Sequence, residues 1–133
     1  MSLLLKGIKY YSGIAKYSKH FSLSELPEND IRSYLSLGKV HEMARVKLNG
    51  KDLGVVWCTP WQVDIKDALK EGENNLEIEV ANLWPNRLIG DATLPADKRL
   101  SWTIEGHPYE ANSQLMPSGL IGPVEIHRLH LNK

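Results

Sequence analysis

Apolar and polar residues alternate through most of this 133-residue chain, and clusters of Gly, Pro, Asn and Asp interrupt the alternation at short intervals. A period of two sends successive side chains to opposite faces, as in strands half-buried against a core. A first extended segment runs from Ala15 through Tyr17, His20 and Phe21 to Leu23, and Pro27-Glu28-Asn29-Asp30 predicts a turn. Ile31 to Leu37 predicts a second strand, with Ser33, Leu35 and Leu37 on one face and Arg32, Tyr34 and Ser36 on the other. Gly38-Lys39 breaks it. The strongest local signal is Ala44 to Trp57, centred on Asn49-Gly50. Asn-Gly supplies the two positive-φ positions of a type I′ turn, whose twist matches that of its flanking strands. Counting outward sets Lys47 opposite Asp52, Val46 opposite Leu53 and Ala44 facing Val55, which gathers opposite charges on one face and aliphatics on the other.

The alternation resumes at Trp61-Gln62-Val63-Asp64-Ile65. Lys66 to Lys70 suits one helical turn, and Gly72 stands where a left-handed stop is wanted. Leu76, Ile78 and Val80 then alternate with Glu77 and Glu79, which are expected to face water. From Ala81 to Pro123 the periodicity dissolves. This stretch carries Pro85, Pro95, Pro108, Pro117 and Pro123 together with Trp84, Trp102 and Tyr109. Within it only Leu88 to Ala92 suits a helical turn, and Ser118-Gly119 reads as a turn. Val124 to Leu131 closes the chain as a strand whose apolar phase shifts between Ile126 and Leu129, predicting a bulge or burial on both faces. Short strands separated by turn signals predict an all-β fold, an antiparallel sandwich of roughly eight strands with one long excursion between the last two. A loop that long in a small domain is a functional segment or a partner surface.

The length suits a single domain spanning 1–133, with residues 1–7 as a lead-in or linker and the whole as a piece of a longer chain. Sixteen Lys and Arg balance sixteen Asp and Glu. A zero balance excludes bulk nucleic acid or an anionic membrane surface as electrostatic partners, because both need a basic surplus. Leu3-Leu4-Leu5 is too short for a signal-peptide core or a membrane span. The single Cys58 excludes an internal disulfide framework and a cysteine-based zinc cluster, and is expected to pack as a small hydrophobe. Four Trp and five Tyr stand against one Phe, a bias towards aromatics with a polar handle.

The run Leu37-Gly38-Lys39-Val40, Val46-Lys47-Leu48-Asn49-Gly50, Leu53-Gly54, Trp57, Pro60, Val63-Asp64-Ile65, Leu69, Gly72-Glu73-Asn74-Asn75-Leu76 and Val80-Ala81-Asn82 resembles the sugar-binding-type jelly roll of glycoside hydrolase family 2, a galactose-binding-like domain. Asn82-Leu83-Trp84-Pro85-Asn86-Arg87-Leu88-Ile89-Gly90-Asp91 and Pro117-Ser118-Gly119-Leu120-Ile121-Gly122-Pro123-Val124 sharpen it. They resemble the C-terminal β-sandwich of the family 106 enzymes, the α-L-rhamnosidases and related glycosidases. The resemblance implies a non-catalytic accessory domain whose partner is a catalytic domain elsewhere in an exported parent chain. A catalytic (β/α)₈ barrel alone takes about 250 residues, so no catalytic residue carries over to any position here.

Glycosidase chemistry within the chain would need two carboxyl groups held about 5–9.5 Å apart, and Asp64, Asp67, Asp91 and Asp97 are the acids to consider. Sixteen acids supply pairs by chance, so none is assigned a catalytic role. The five histidines form no His-Glu-x-x-His run, and no cofactor or transition-metal site is expected. A structural Ca²⁺, common among galactose-binding-like domains, has no ligand loop that can be named here. The aromatics remain. A pyranose stacks its C–H face on an indole and turns its hydroxyl rim to Asn, Asp or Arg. Trp84, Asn86, Arg87, Asp91, Trp102 and Tyr109 are therefore the candidates for carbohydrate or interdomain contact. Arg87 and Asp91, four apart, can equally pair with each other on one helical turn. Trp57 and Trp61 are expected in core or rim packing. The excursion from Trp84 to Pro117 is expected to carry the largest exposed apolar patch. The alternative reading is an autonomous, lectin-like carbohydrate-binding module.

Overall fold

The computed structural model describes residues 8–104 and 106–131. They form two compact units, residues 14–81 with 118–131, and residues 8–13 with 82–117.

The first unit is built of strands β1 (Ile14–Leu23), β2 (Ile31–Ser36), β3 (Lys39–His41), β4 (Met43–Leu48), β5 (Lys51–Val56), β6 (Gln62–Asp64), β7 (Gly72–Ala81), β8 (Gly119–Gly122) and β9 (Glu125–His130). All named pairings are antiparallel: a four-stranded sheet in the order β1-β7-β4-β5, a three-stranded sheet β6-β2-β9, and a pair β3-β8. Ala44, Val46 and Leu48 of β4 and Leu76, Ile78 and Val80 of β7 turn inward from the large sheet. Leu35, followed by Leu37 just past the end of β2, meets them in the same core. Strict alternation therefore does the work expected of it, because each sheet has one wet and one dry face. The family of antiparallel β-sandwiches expected from the sequence is the fold observed.

Buried carboxamides hold the turns onto this sandwich. Asn49 begins the hairpin turn at φ 53°, with Gly50 at 80°, the pair of positive values a type I′ turn demands. Its Nδ2 donates to the Ala68 carbonyl and to Asn74 Oδ1, both at 2.8 Å, while its Oδ1 accepts from the Asn75 amide at 2.8 Å. The fully buried Asn74 in turn bonds both backbone groups of Lys70. The hairpin tip, the 3₁₀ turn at Lys66–Ala68 and the start of β7 are thereby joined by side chains that leave no buried amide wasted.

Several sequence expectations are corrected. Lys47 pairs with Asp52, but the register then shifts, so that Ala44 faces Val56 and Arg45 faces Val55. The cause is a bulge at Leu53-Gly54, where Gly54 takes φ 93° and one extra residue reverses the phase of β5. Val56 is consequently buried and Val55 exposed. Asp52 meets Arg45 in an ion pair rather than the directly opposite Lys47. Strand β9 contains neither a bulge nor two-sided burial: its register with β2 is continuous, Ile126 packs on the core, and Leu129 lies exposed on an edge strand. Short β3 and β8 give nine strands among the described residues, and the excursion precedes the last two strands rather than separating them. Past Val56 the chain leaves the sheet, so Cys58 is exposed and Trp57 is 70% exposed, while Trp61 packs against the core.

Two glycines separate the effects of backbone sign and of space. Gly54 has a positive φ with open space where a Cβ would stand, whereas a Cβ on Gly38 (φ +67°) would enter the Gly122 carbonyl group. Gly54→Ala is expected to cost about 1–2 kcal/mol from the left-handed backbone alone. Gly38→Ala adds an overpacking term and is expected to cost about 2–5 kcal/mol. Urea unfolding midpoints of the two variants measure the difference.

Candidate functional site

The second unit is where the periodicity fails and the candidate residues lie. Helix α1 (Pro85–Ala92) begins with Pro at its first position, where a missing N–H costs nothing, and a 3₁₀ turn follows at Ala96–Lys98. The helix runs two turns, longer than the single turn its sequence suggests. Thr93 closes it, its Oγ1 donating to the Gly90 carbonyl at 2.6 Å. Gly90 is required because the Tyr10 ring occupies the space a Cβ would take. Beyond Arg99 the chain is irregular, yet exposure alternates: Leu100, Trp102 and Ile104 point out, while Ser101 and Thr103 are partly covered.

Asp91 fixes that irregular segment. It is fully buried, and its Oδ1 accepts from Arg87 at 2.8 Å. Its Oδ2 accepts from the Leu100 amide at 3.1 Å, from the Ser101 amide at 2.6 Å, and from the Ser101 hydroxyl. Burial alone would raise this carboxyl, but the Ser101 hydrogen bonds, with the Arg87 charge, outweigh it and hold the group below the usual carboxylate range. Asn86, also buried, clasps the backbone of Met116, donating to its carbonyl at 2.8 Å and accepting from its amide at 2.7 Å.

The six predicted residues therefore divide. Asn86 and Asp91 are internal fasteners that no external group can touch, a correction of their place among the contact candidates. Trp84 and Trp102, 60% and 77% exposed, line one hollow of about 340 Å³ together with Arg87, Leu100, Ser101 and Ser12. Trp102 also walls a second hollow of about 390 Å³ with Arg99, Thr103 and His107. Tyr109 lines neither; its carbonyl accepts from His107 Nδ1 at 3.0 Å. Sequence reasoning missed Leu100, Arg99 and His107, which no periodicity marks. The three most exposed large apolar side chains described are Ile104, Leu100 and Trp102, all within the excursion from Trp84 to Pro117.

Acids are absent from both hollows. A third hollow, an apolar groove of about 530 Å³ in the sandwich beside Tyr17, Phe21, Leu120 and Ile126, bears one acid, Glu125. Among the described residues no three His, Cys, Asp or Glu side chains gather as a metal site would, so no Ca²⁺ ligand set can be named.

Residues 10–114 match the family profile described as "Glycosyl hydrolase 2 galactose-binding domain-like". The chain belongs to this family. A solved structure, the rhamnosidase from Novosphingobium sp. PP1Y, is 43% identical and superposes with a TM-score of 0.84 over 93% of this chain. A Formosa agariphila protein named "Putative beta-glucuronidase" is 40% identical, again over 93% of this chain. The chain spans 12% of the length of the first and 13% of the second. This galactose-binding-like sandwich is thus a small domain of the kind carried within much longer glycoside hydrolase chains.

The Asp91 knot generates a pH dependence. A carboxyl whose folded pKa is depressed adds stability that is present above its unfolded pKa, about 3.9, and is lost as pH falls through the folded value. Wild-type stability is expected to decline through this acid range with an Asp91 component that Asp91→Ala lacks. At neutral pH the substitution strands a partly buried Arg87 and two backbone amides, and should cost about 3–5 kcal/mol. Denaturant unfolding of both proteins from pH 2 to pH 7 measures both effects.

Proposed function

We propose that this chain is a non-catalytic domain of a multidomain glycoside hydrolase and that it supports a catalytic domain in the same parent chain. One observation carries the non-catalytic reading: none of the three hollows is lined by two acids. Glycoside hydrolysis requires a carboxyl pair flanking the scissile bond, one member protonated and able to donate. Asp91, the acid nearest the exposed indoles in sequence, is ionised and saturated with internal donors. It can neither give a proton nor approach a sugar.

The supporting role follows from size and surface. Most of the length of both relatives lies outside the matched region, and interdomain contacts are made by apolar side chains ringed with polar ones. Ile104, 89% exposed, is the foremost such side chain here, and the neighbouring catalytic domain is its proposed cover. The family resemblance further implies export of the parent.

Two measurements test this reading. The purified chain is expected to release no product from chromogenic rhamnosides or glucuronides, and turnover surviving repurification would refute it. In the parent enzyme, Ile104→Ser is expected to weaken the domain contact by about 1.5–3 kcal/mol, the value of an aliphatic side chain buried from water. The parent's melting temperature should fall while that of the isolated chain stays put. An unchanged parent would place the contact elsewhere.

A further inference from the structure

We infer that the hollow between Trp84 and Trp102 is a binding site for a neutral pyranoside, read by stacking and hydrogen bonding rather than by charge. The inference goes beyond the non-catalytic reading and stands without it. Two indoles line one hollow while keeping most of their surface in water, although nothing in helix α1 or its flanks prevents a sequence from placing polar residues there. An indole face is electron-rich and attracts the weakly positive C–H groups that a pyranose presents on its apolar face. Leu100 adds an aliphatic wall, which suits a sugar with few axial hydroxyls or a methyl at C6.

The polar side of the hollow is equally specific. Arg87 gives one N–H to Asp91, and its Nε has no partner. A guanidinium with donors in reserve beside two aromatic platforms is the mixture that small-ligand sites use to fix orientation. Its charge, however, is already matched by the buried Asp91 carboxylate at 2.8 Å. A ligand therefore meets hydrogen-bond donors but little net field, and a carboxylate on the sugar gains nothing over a hydroxymethyl or methyl group. Charge-read sites weaken as salt screens them; this one should not.

Fluorescence titration of the chain with methyl α-L-rhamnopyranoside, methyl β-D-glucopyranoside and methyl β-D-glucopyranosiduronate, at low and high salt, tests this. At least one neutral glycoside should change Trp emission saturably, with the same affinity at both salt concentrations. Trp102→Ala should weaken that binding at least tenfold, Trp102→Phe by less, and Trp57→Ala not at all; Trp102 is exposed enough for its variants to keep the wild-type melting temperature. The inference is overturned if neither neutral glycoside binds, if binding survives Trp102→Ala, or if the uronide binds more tightly and is weakened by salt. Those failures leave the non-catalytic reading intact. Free sugar released from a probe would sink that reading and not this one.

Discussion

A buried backbone must find partners for its N–H and C=O groups, and an irregular segment cannot find them in a ladder. The second unit meets this constraint through one carboxylate. Asp91 takes up the amides of Leu100 and Ser101, the Ser101 hydroxyl and the Arg87 guanidinium, joining the last turn of helix α1 to the chain nine and ten residues onward. Asn86 repeats the device thirty residues away at Met116. Removing either fastener would leave backbone groups unpaired, and that penalty is larger than the net gain of a typical hydrogen bond.

Function follows from that fastening. An exposed indole on a loose loop would lose conformational freedom on every encounter with a ligand or a neighbouring domain. Here Trp84 stands at the start of helix α1 and Trp102 directly follows the clamped Ser101, so both are presented by ordered chain. The sandwich uses the same principle for a different end. Asn49 and Asn74 tie its hairpin tip and 3₁₀ turn down, leaving the alternating aliphatics to hold the two sheets together. Buried polar side chains fix the irregular parts of each unit, and apolar burial stabilises the regular ones.

The regular parts are those that could be read from residue order. Leu35, Leu76, Ile78 and Val80 lie inside because a period of two leaves them no other face, and Asn49-Gly50 turns as its two residue types require. The bulge at Gly54 was not legible, because a glycine in a strand gives no sign of whether it adds a residue to the register. Leu129 misled by its chemistry, since an edge strand can leave an aliphatic in water. At the candidate site, residue type pointed to the right neighbourhood but could not distinguish fasteners from contacts. Asn86 and Asp91 look as suited to sugar hydroxyls as Arg87 does. Only their burial and their backbone partners assign them inward.

Amide hydrogen exchange at Leu100 and Ser101 tests the central role of Asp91 most directly. Both amides lie outside any helix or strand, so local secondary structure gives them no protection. They are predicted to exchange far more slowly than free peptide in the wild-type chain. In Asp91→Ala they should become fast while the amides of β4 and β7 keep their rates. Exchange of Leu100 and Ser101 at the free-peptide rate in the wild-type protein would contradict the account.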